Sequence, residues 1–247
     1  GMDLGGTKLL AGLIDREGVV VDRKVRPTDT SKEEAVLAQI EAAVEELVAD
    51  DVVGIGLGIP SLIDQRTGRV ASSVNIPLAG VDVRDRIAGR FGLPVAIEND
   101  ANAAAVAEHK LGAGRGSKHM VMLTLGTGVG GGLILNGELY RGFTGAAGEL
   151  GHMTINFDGP PCQGTCPGTG HLEAYASGTA ADRLVREVAA ERPDGDLGQA
   201  AAEGAEVDAK LAVELASVAA GDARELIERV GSRLGHVIES YVNIFNP

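Results

Sequence analysis

Apolar and polar positions follow two periods along this chain, and the order of those periods outlines its architecture. Residues 2–8 read M-D-L-G-G-T-K, residues 9–14 L-L-A-G-L-I, a short turn covers 15–18, and residues 19–25 are β-branched. This pattern predicts a strand, a glycine loop, a second strand, a turn and a third strand. Residues 31–50 carry Val36, Ile40, Val44 and Leu47 at helical spacing, with Ser31 and Glu34 in capping-box register, and predict an amphipathic helix. An apolar run at 52–59 predicts a buried strand ended by Pro60, and the stretch P-S-L-I-D-Q-R-T-G after it reads as a loop. A short helix over 81–91 and a strand over 94–98 follow, so the first part reads β-α-β-α-β, the order of an α/β lobe. At Asn99-Asp100 that strand gives way to an alanine-rich helix running to Leu111 and closing at Gly112.

Residues 120–140 repeat the opening: strand, glycine loop, strand, Asn-Gly turn at 136–137, strand. Asp3-Leu-Gly-Gly-Thr beside Thr124-Leu-Gly-Thr-Gly predicts two similar lobes in tandem, 1–115 and 116–247. Helices are expected over 176–192, 207–220 and 223–246, with 193–198 a linker. In the last helix Leu226, Val230, Leu234, Val237 and Tyr241 form an apolar stripe, read as core.

Composition narrows the partners. At 247 residues and 44% hydrophobic the chain can bury one large or two medium cores. A net charge of −13 repels phosphate backbones and anionic lipid, so neither nucleic acid nor a membrane is an expected partner. The stretch 119–137 lacks Asp, Glu, Lys and Arg, but its six glycines rule against a spanning helix. No signal peptide is discernible, and two cysteines fit a reducing cytoplasm.

Three constellations carry chemistry. The two glycine loops bring backbone N–H donors close to a bound group, with Asp3 and Thr7 adding a carboxylate and a hydroxyl. The second also matches a loose G-x-G-x-x-G, but a strand follows it where a dinucleotide fingerprint requires a helix. Asp100 stands where a strand ends and a helix starts, a place where ligands of α/β sheets collect and where an anion is favoured; a plain N-cap at Asn99 or Asp100 is the alternative. Finally, the only cysteines, Cys162 and Cys166, lie between His152 and His171, with Glu149 and Glu173 just outside. Two thiolates and two imidazoles suit structural zinc; a chance pair or a tight Cys-x3-Cys disulfide is the alternative.

Five ordered motifs, D-L-G-G-T-K at 3–8, E-N-D-A-N at 98–102, G-T-G-V-G-G-G at 126–132, G-E-L-G-H at 148–152 and the Cys/His stretch ending G-H-L-E at 170–173, closely resemble the ROK family over nearly the whole chain. That family comprises sugar kinases, and repressors derived from them, within the actin-like ATPase and hexokinase superfamily. The resemblance implies a duplicated actin-like ATPase (ribonuclease H-like) α/β fold of two lobes with a cleft between them. It implies ATP and Mg²⁺ at two phosphate loops, Asp3, Gly5, Gly6, Thr7 and Lys8 in one and Gly126, Thr127, Gly128, Gly130 and Gly131 in the other, with Asp3 near the magnesium. Asp100 matches the catalytic base; Asn99, Glu149, His152 and Glu173, and more weakly Asn75, match sugar-hydroxyl ligands.

An ATP-dependent hexose kinase acting on the 6-hydroxyl, with glucose as substrate, is therefore the leading expectation. Within the class the alternatives are an N-acetylhexosamine kinase (N-acetylglucosamine or N-acetylmannosamine) and a fructokinase. Outside it they are a sugar-responsive repressor, for which no helix-turn-helix precedes the first strand, and an inert sugar-binding module. A homodimer or higher homo-oligomer is implied by resemblance alone. The family's zinc pattern is C-x-C-G-x-x-G-C-x-E, whereas here the cysteines are three residues apart and His171 stands where the last cysteine is expected. Zn²⁺ would then be held by His152, Cys162, Cys166 and His171. Both ends read as cut, and the family's adenosine-binding strand and helix are expected beyond the final Asn-Pro.

Overall fold

The computed structural model describes residues 1–73 and 75–247. Its first sheet has five strands: β1 (Met2–Leu4), β2 (Lys8–Ile14), β3 (Val20–Pro27), β4 (Ile55–Ile59) and β7 (Val95–Asn99), in the order β3-β2-β1-β4-β7. β1, β2 and β3 are antiparallel neighbours, while β1, β4 and β7 run parallel. In register, Gly58 of β4 pairs with Asp3 on one side and Glu98 on the other. The carboxyl ends of the three parallel strands thus line up, bringing Asp3 and the Asn99-Asp100 junction to one edge of the sheet.

The face that packs is set by helices α1 (Glu33–Leu47) and α2 (Val83–Phe91). Val36, Leu37, Ile40, Val83 and Ile87 are fully buried against Leu4, Leu9 and Ile59 of the strands. The capping box does not form: Lys32 is the N-cap of α1 and makes no side-chain cap bond. Asp29 accepts the Ser31 N–H instead, and Glu34 is drawn to the Arg86 guanidinium, two nitrogens each at 3.1 Å. The stretch after Pro60, expected as loop, forms a hairpin of β5 (Ser61–Asp64) and β6 (Arg69–Ser73), tied by Ser61 Oγ to Ser73 Oγ at 2.8 Å.

Helix α3 (Asp100–Leu111) follows β7 without a linker. A further sheet of β8 (Met120–Leu125), β9 (Val129–Leu135) and β10 (Glu138–Leu139) holds the second meander, turning at Asn136-Gly137 with both residues at positive φ. The remainder is helical: α4 (Glu173–Ala176), α5 (Gly178–Glu191), α6 (Asp196–Ala202), α7 (Ala209–Val218) and α8 (Asp222–Phe245). Half of the linker expected at 193–198, residues 196–198, is the start of α6, which buries Leu197 in a core of Val185, Ala212 and Leu226. Of the stripe expected on α8, Leu226, Val237 and Tyr241 are buried.

Two compact units result, Gly1–Met120 with Gly132–Gly148, and Val121–Gly131 with Glu149–Pro247. The boundary expected at 115/116 lies five residues before the first crossing, and residues 132–148 join the first unit. No helix among the described residues is long and apolar enough to cross a membrane.

Candidate active site and metal centre

In the first unit, Asp100 begins α3 directly at the end of β7. Asn99 is the N-cap, its Oδ1 accepting the Asn102 N–H at 3.1 Å, so capping falls to Asn99 and leaves Asp100 available for other work. One oxygen of Asp100 accepts the Ala101 N–H at 2.9 Å. Burial nevertheless raises the Asp100 carboxyl above its ordinary range, and the negative charge of Asp3 adds to the effect, against that backbone bond. A partly desolvated carboxylate at a helix start is a proton acceptor of raised basicity.

Asp3, exposed, is the middle residue of β1, with only Leu4 between it and the first glycine loop. The turn is tight: Gly5 N–H reaches the Lys8 carbonyl at 2.8 Å, and Thr28 braces the loop with its hydroxyl on the Gly5 carbonyl at 2.7 Å and its N–H on the Thr7 carbonyl at 3.0 Å. Gly6, Thr7 and Lys8 are exposed. Asn75 lies against Gly6, and a Cβ there would stand 3.5 Å from that of Asn75.

In the second unit the other glycine loop is shorter than expected. Gly126, Thr127 and Gly128 make the turn, closed by Gly126 N–H on the Gly128 carbonyl at 3.0 Å, whereas Gly130 and Gly131 lie within β9. The start of α5 sits on this turn: Gly178 N–H donates to the Gly126 carbonyl at 2.8 Å and the Thr179 hydroxyl to the Thr127 carbonyl at 2.9 Å. Sequence reading missed this contact, which joins positions 52 residues apart. Glu173 is also part of it, one carboxylate oxygen accepting the Val129 N–H at 2.8 Å and the other 3.7 Å from Cys162 Sγ.

The Cys/His stretch folds as an irregular hairpin. Leu172 N–H on the Met153 carbonyl (2.9 Å) and Cys162 N–H on the Gly168 carbonyl (2.9 Å) pair its two arms, with bridges at Thr154–His171 and Pro161–Thr169. His152, at the end of a 3-10 turn (Leu150–His152), is thereby brought to Cys162, Cys166 and His171. Gly151 permits the approach of this turn to β9, since a Cβ on it would overlap the Val129 carbonyl. Both cysteines are free thiols, and the four donor atoms lie within 4.8 Å of one another.

Three edges of this cluster are 3.3 Å between the two Nδ1 atoms, 3.5 Å from Cys162 Sγ to His152 Nδ1 and 3.6 Å from Cys166 Sγ to His171 Nδ1. A tetrahedron with Zn–N near 2.05 Å and Zn–S near 2.3 Å has edges of about 3.3–3.8 Å; these three edges fall in that range, and the donor types are ones zinc takes. His152 Nε2 faces away from the cluster, 3.9 Å from a Glu149 oxygen. Burial, with Cys166 and Glu173 beside it, pushes the Cys162 thiol up to about 12, the environment of a sulfur whose charge a cation must balance. Helix α8 holds the stretch from behind: Arg233 lies over the Tyr175 ring at 4.3 Å, and Tyr175 Oη accepts the Asn156 amide at 2.9 Å.

The ROK family profile matches the chain over residues 1–247. A glucokinase of Thermotoga maritima is 36% identical over 250 residues, spanning 100% of this chain and 78% of its own length. One from Halalkalibacterium halodurans is 34% identical over 255 residues, with 100% and 77% covered. The crystal structure of a ROK family glucokinase from Streptomyces griseus in complex with glucose and AMPPNP superposes with a TM-score of 0.84 at 33% identity, over 100% of this chain and 80% of that one. The class these strands, loops and carboxylates define is the actin-like ATPase fold. Within it, the chain belongs to the ROK family.

Proposed function

We propose that this protein is an ATP-dependent hexose kinase that phosphorylates the 6-hydroxyl of its sugar, with glucose as the substrate of first choice. The observation that carries the reading is Asp100: a carboxylate of raised basicity at the carboxyl end of a parallel strand, beside Asp3 and one strand away from a glycine turn. Glucokinase relatives and a neighbour solved with glucose and AMPPNP supply the substrate class.

In this reading Asp100 accepts the proton of the sugar hydroxyl as its oxygen attacks the γ-phosphorus, a role worth about 10²–10⁴-fold in rate. Asn99, whose Oδ1 caps the helix and whose side chain also bonds the Asp100 carboxyl, is a candidate for a neighbouring sugar hydroxyl. Glu149 and His152 hold further hydroxyls, and Glu173 and Asn75 are the remaining candidates. The turns at residues 5–8 and 126–128 offer N–H groups to the phosphates, charge stabilisation that needs no reorganisation during transfer. Asp3, an exposed oxygen donor, fits the Mg²⁺ that accompanies the nucleotide; when bound, that ion adds positive charge at the phosphates. His152, Cys162, Cys166 and His171 would hold Zn²⁺, which supplies a fixed brace for the imidazole of His152. Two free thiols suit a reducing cytoplasm.

The test is a coupled ATP assay on glucose, mannose, fructose, N-acetylglucosamine and N-acetylmannosamine side by side, with Asp100→Asn as control. Turnover should be highest on glucose and abolished in the variant, with sugar binding kept in calorimetry. No turnover of glucose defeats the proposal, and undiminished turnover by Asp100→Asn removes Asp100 from the role of base.

A further inference from the structure

The residue before the Asn99-Asp100 pair is also engaged in an unusual way. Glu98 is a largely covered carboxylate, its side chain 16% exposed, and both oxygens are committed. Oε1 accepts the backbone N–H of Asn99 at 3.0 Å, the Gln65 amide at 3.1 Å and the Asn102 amide at 3.4 Å. Oε2 accepts Arg141 Nε at 2.7 Å. Asn102 is itself buried, 3% exposed, and its N–H returns to Asn99 Oδ1.

These bonds straddle Asp100. Glu98 grips the residue before it and the first turn of the helix after it, while Asn99 bonds that same turn. Such a closed ring fixes the strand-to-helix junction, and with it the direction of the Asp100 carboxylate. The outer partners come from far along the chain: Gln65, 33 residues away, follows β5, and Arg141, 43 residues away, follows β10. Gln65 Nε2 also bonds the Ile97 carbonyl at 3.2 Å, a second tie to β7. A bare N-cap needs none of this, because Asn99 already supplies the cap.

We infer that Glu98 is a positioning residue for phosphoryl transfer, locked by Arg141, and that it acts by holding Asp100 in line with the sugar hydroxyl. The inference rests on the kinase reading above. A misdirected base slows the chemical step without weakening the contacts that bind either substrate, so the loss belongs in kcat.

The experiment compares Glu98→Gln, Arg141→Met, Arg141→Lys and the Glu98→Gln/Arg141→Met double variant in the full chain, with glucose and ATP, beside Asp100→Asn. Glu98→Gln and Arg141→Met should each lower kcat at least tenfold with both KM values within threefold of the parent. The double variant should be no slower than the worse single variant, since both break one device. Arg141→Lys should recover part of the loss. Circular dichroism and Tm establish folding; should Glu98→Gln not fold, Arg141→Met, on a side chain 40% exposed, carries the same kcat criterion. A kcat within threefold of the parent, a loss confined to KM, or additive losses in the double variant overturns the inference. If Asp100→Asn is dead while Glu98→Gln is fully active, the brace alone falls. If Asp100→Asn is as active as the parent, Asp100 is not the base and the brace falls with that role; if the parent itself turns over no sugar, the kinase reading falls.

Discussion

Tyr241 donates its hydroxyl to the carbonyl of Leu150 at 2.6 Å, across 91 residues of sequence. Leu150 opens the 3-10 turn that ends at His152, so the last helix holds the segment carrying both Glu149 and one imidazole of the Cys/His cluster. Burial pushes the Tyr241 hydroxyl up to about 12, which keeps it a donor throughout the neutral range. Tyr241→Phe leaves the ring in place and the carbonyl unpaired, a loss of about 1–3 kcal/mol. Denaturant unfolding should show a lower midpoint with an unchanged slope, and the KM for sugar should rise more than that for ATP. Equal stability of the two proteins would show the bond to be idle.

How much of this was legible beforehand depends on the reach of each interaction. The alternation of strands and helices in the first unit, the buried stripe Val36, Ile40 and Val44, and the strand end at Asn99 all follow from local periodicity. The hairpin β5-β6 escaped because its strands are four and five residues long and its apolar positions few. Helix α6 escaped because it buries only Leu197 and Gly198. The capping box failed because Arg86, from another helix, competes for Glu34 more strongly than a backbone N–H. The clustering of the Cys/His set was legible because its four members lie within twenty residues; the Glu98 ring and the Tyr241 bond were not, since their partners are distant in sequence and no local pattern marks them.

Asp100 should cost the folded protein stability when ionised. Burial, then Asp3, raise its folded pKa above the unfolded value of about 4. The folded state therefore holds this proton more tightly than the unfolded chain, and the cost is absent below about pH 4, grows with rising pH and is complete above the folded pKa. Asp100→Asn keeps an acceptor for the Ala101 N–H but no charge. Its Tm should exceed that of the parent at neutral pH, with the gap closing as the pH falls toward about 4. Turnover by the parent should fail on the acid side above the ordinary carboxylate range, in step with protonation of the same group. A variant less stable than the parent at neutral pH would contradict the assignment of strain to this carboxylate.

Metal content offers an independent check. The four donors should hold one zinc per chain by elemental analysis, and chelation should lower the Tm of the parent. Structural zinc can supply on the order of 10 kcal/mol to a local fold, so the effect should be large. Cys166→Ser removes one of the four ligands. It should start from a lower Tm and respond to chelator far less than the parent does. Identical chelator responses would mean that Cys166 holds no metal. Retention of full stability by a metal-free parent would mean that the hairpin needs none.

Gly132 tests how closely helix and sheet must approach around Asp100. A Cβ on it would overlap that of Ala105 and stand 3.3 Å from the Ala101 carbonyl, both on α3. Ala101 is the neighbour whose N–H bonds Asp100. Gly132→Ala therefore cannot be absorbed by a flexible side chain; α3 has to move away from β9. Overpacking of this kind costs about 1–3 kcal/mol. The displacement begins in the first turn, so turnover should drop more than substrate affinity. Gly132→Ala paired with Ala105→Gly removes the Cβ that is overlapped and should restore most of the stability. Failure of that pairing to restore anything would place the constraint at the Ala101 backbone, and a single variant with unchanged Tm and turnover would show that the contact carries no constraint.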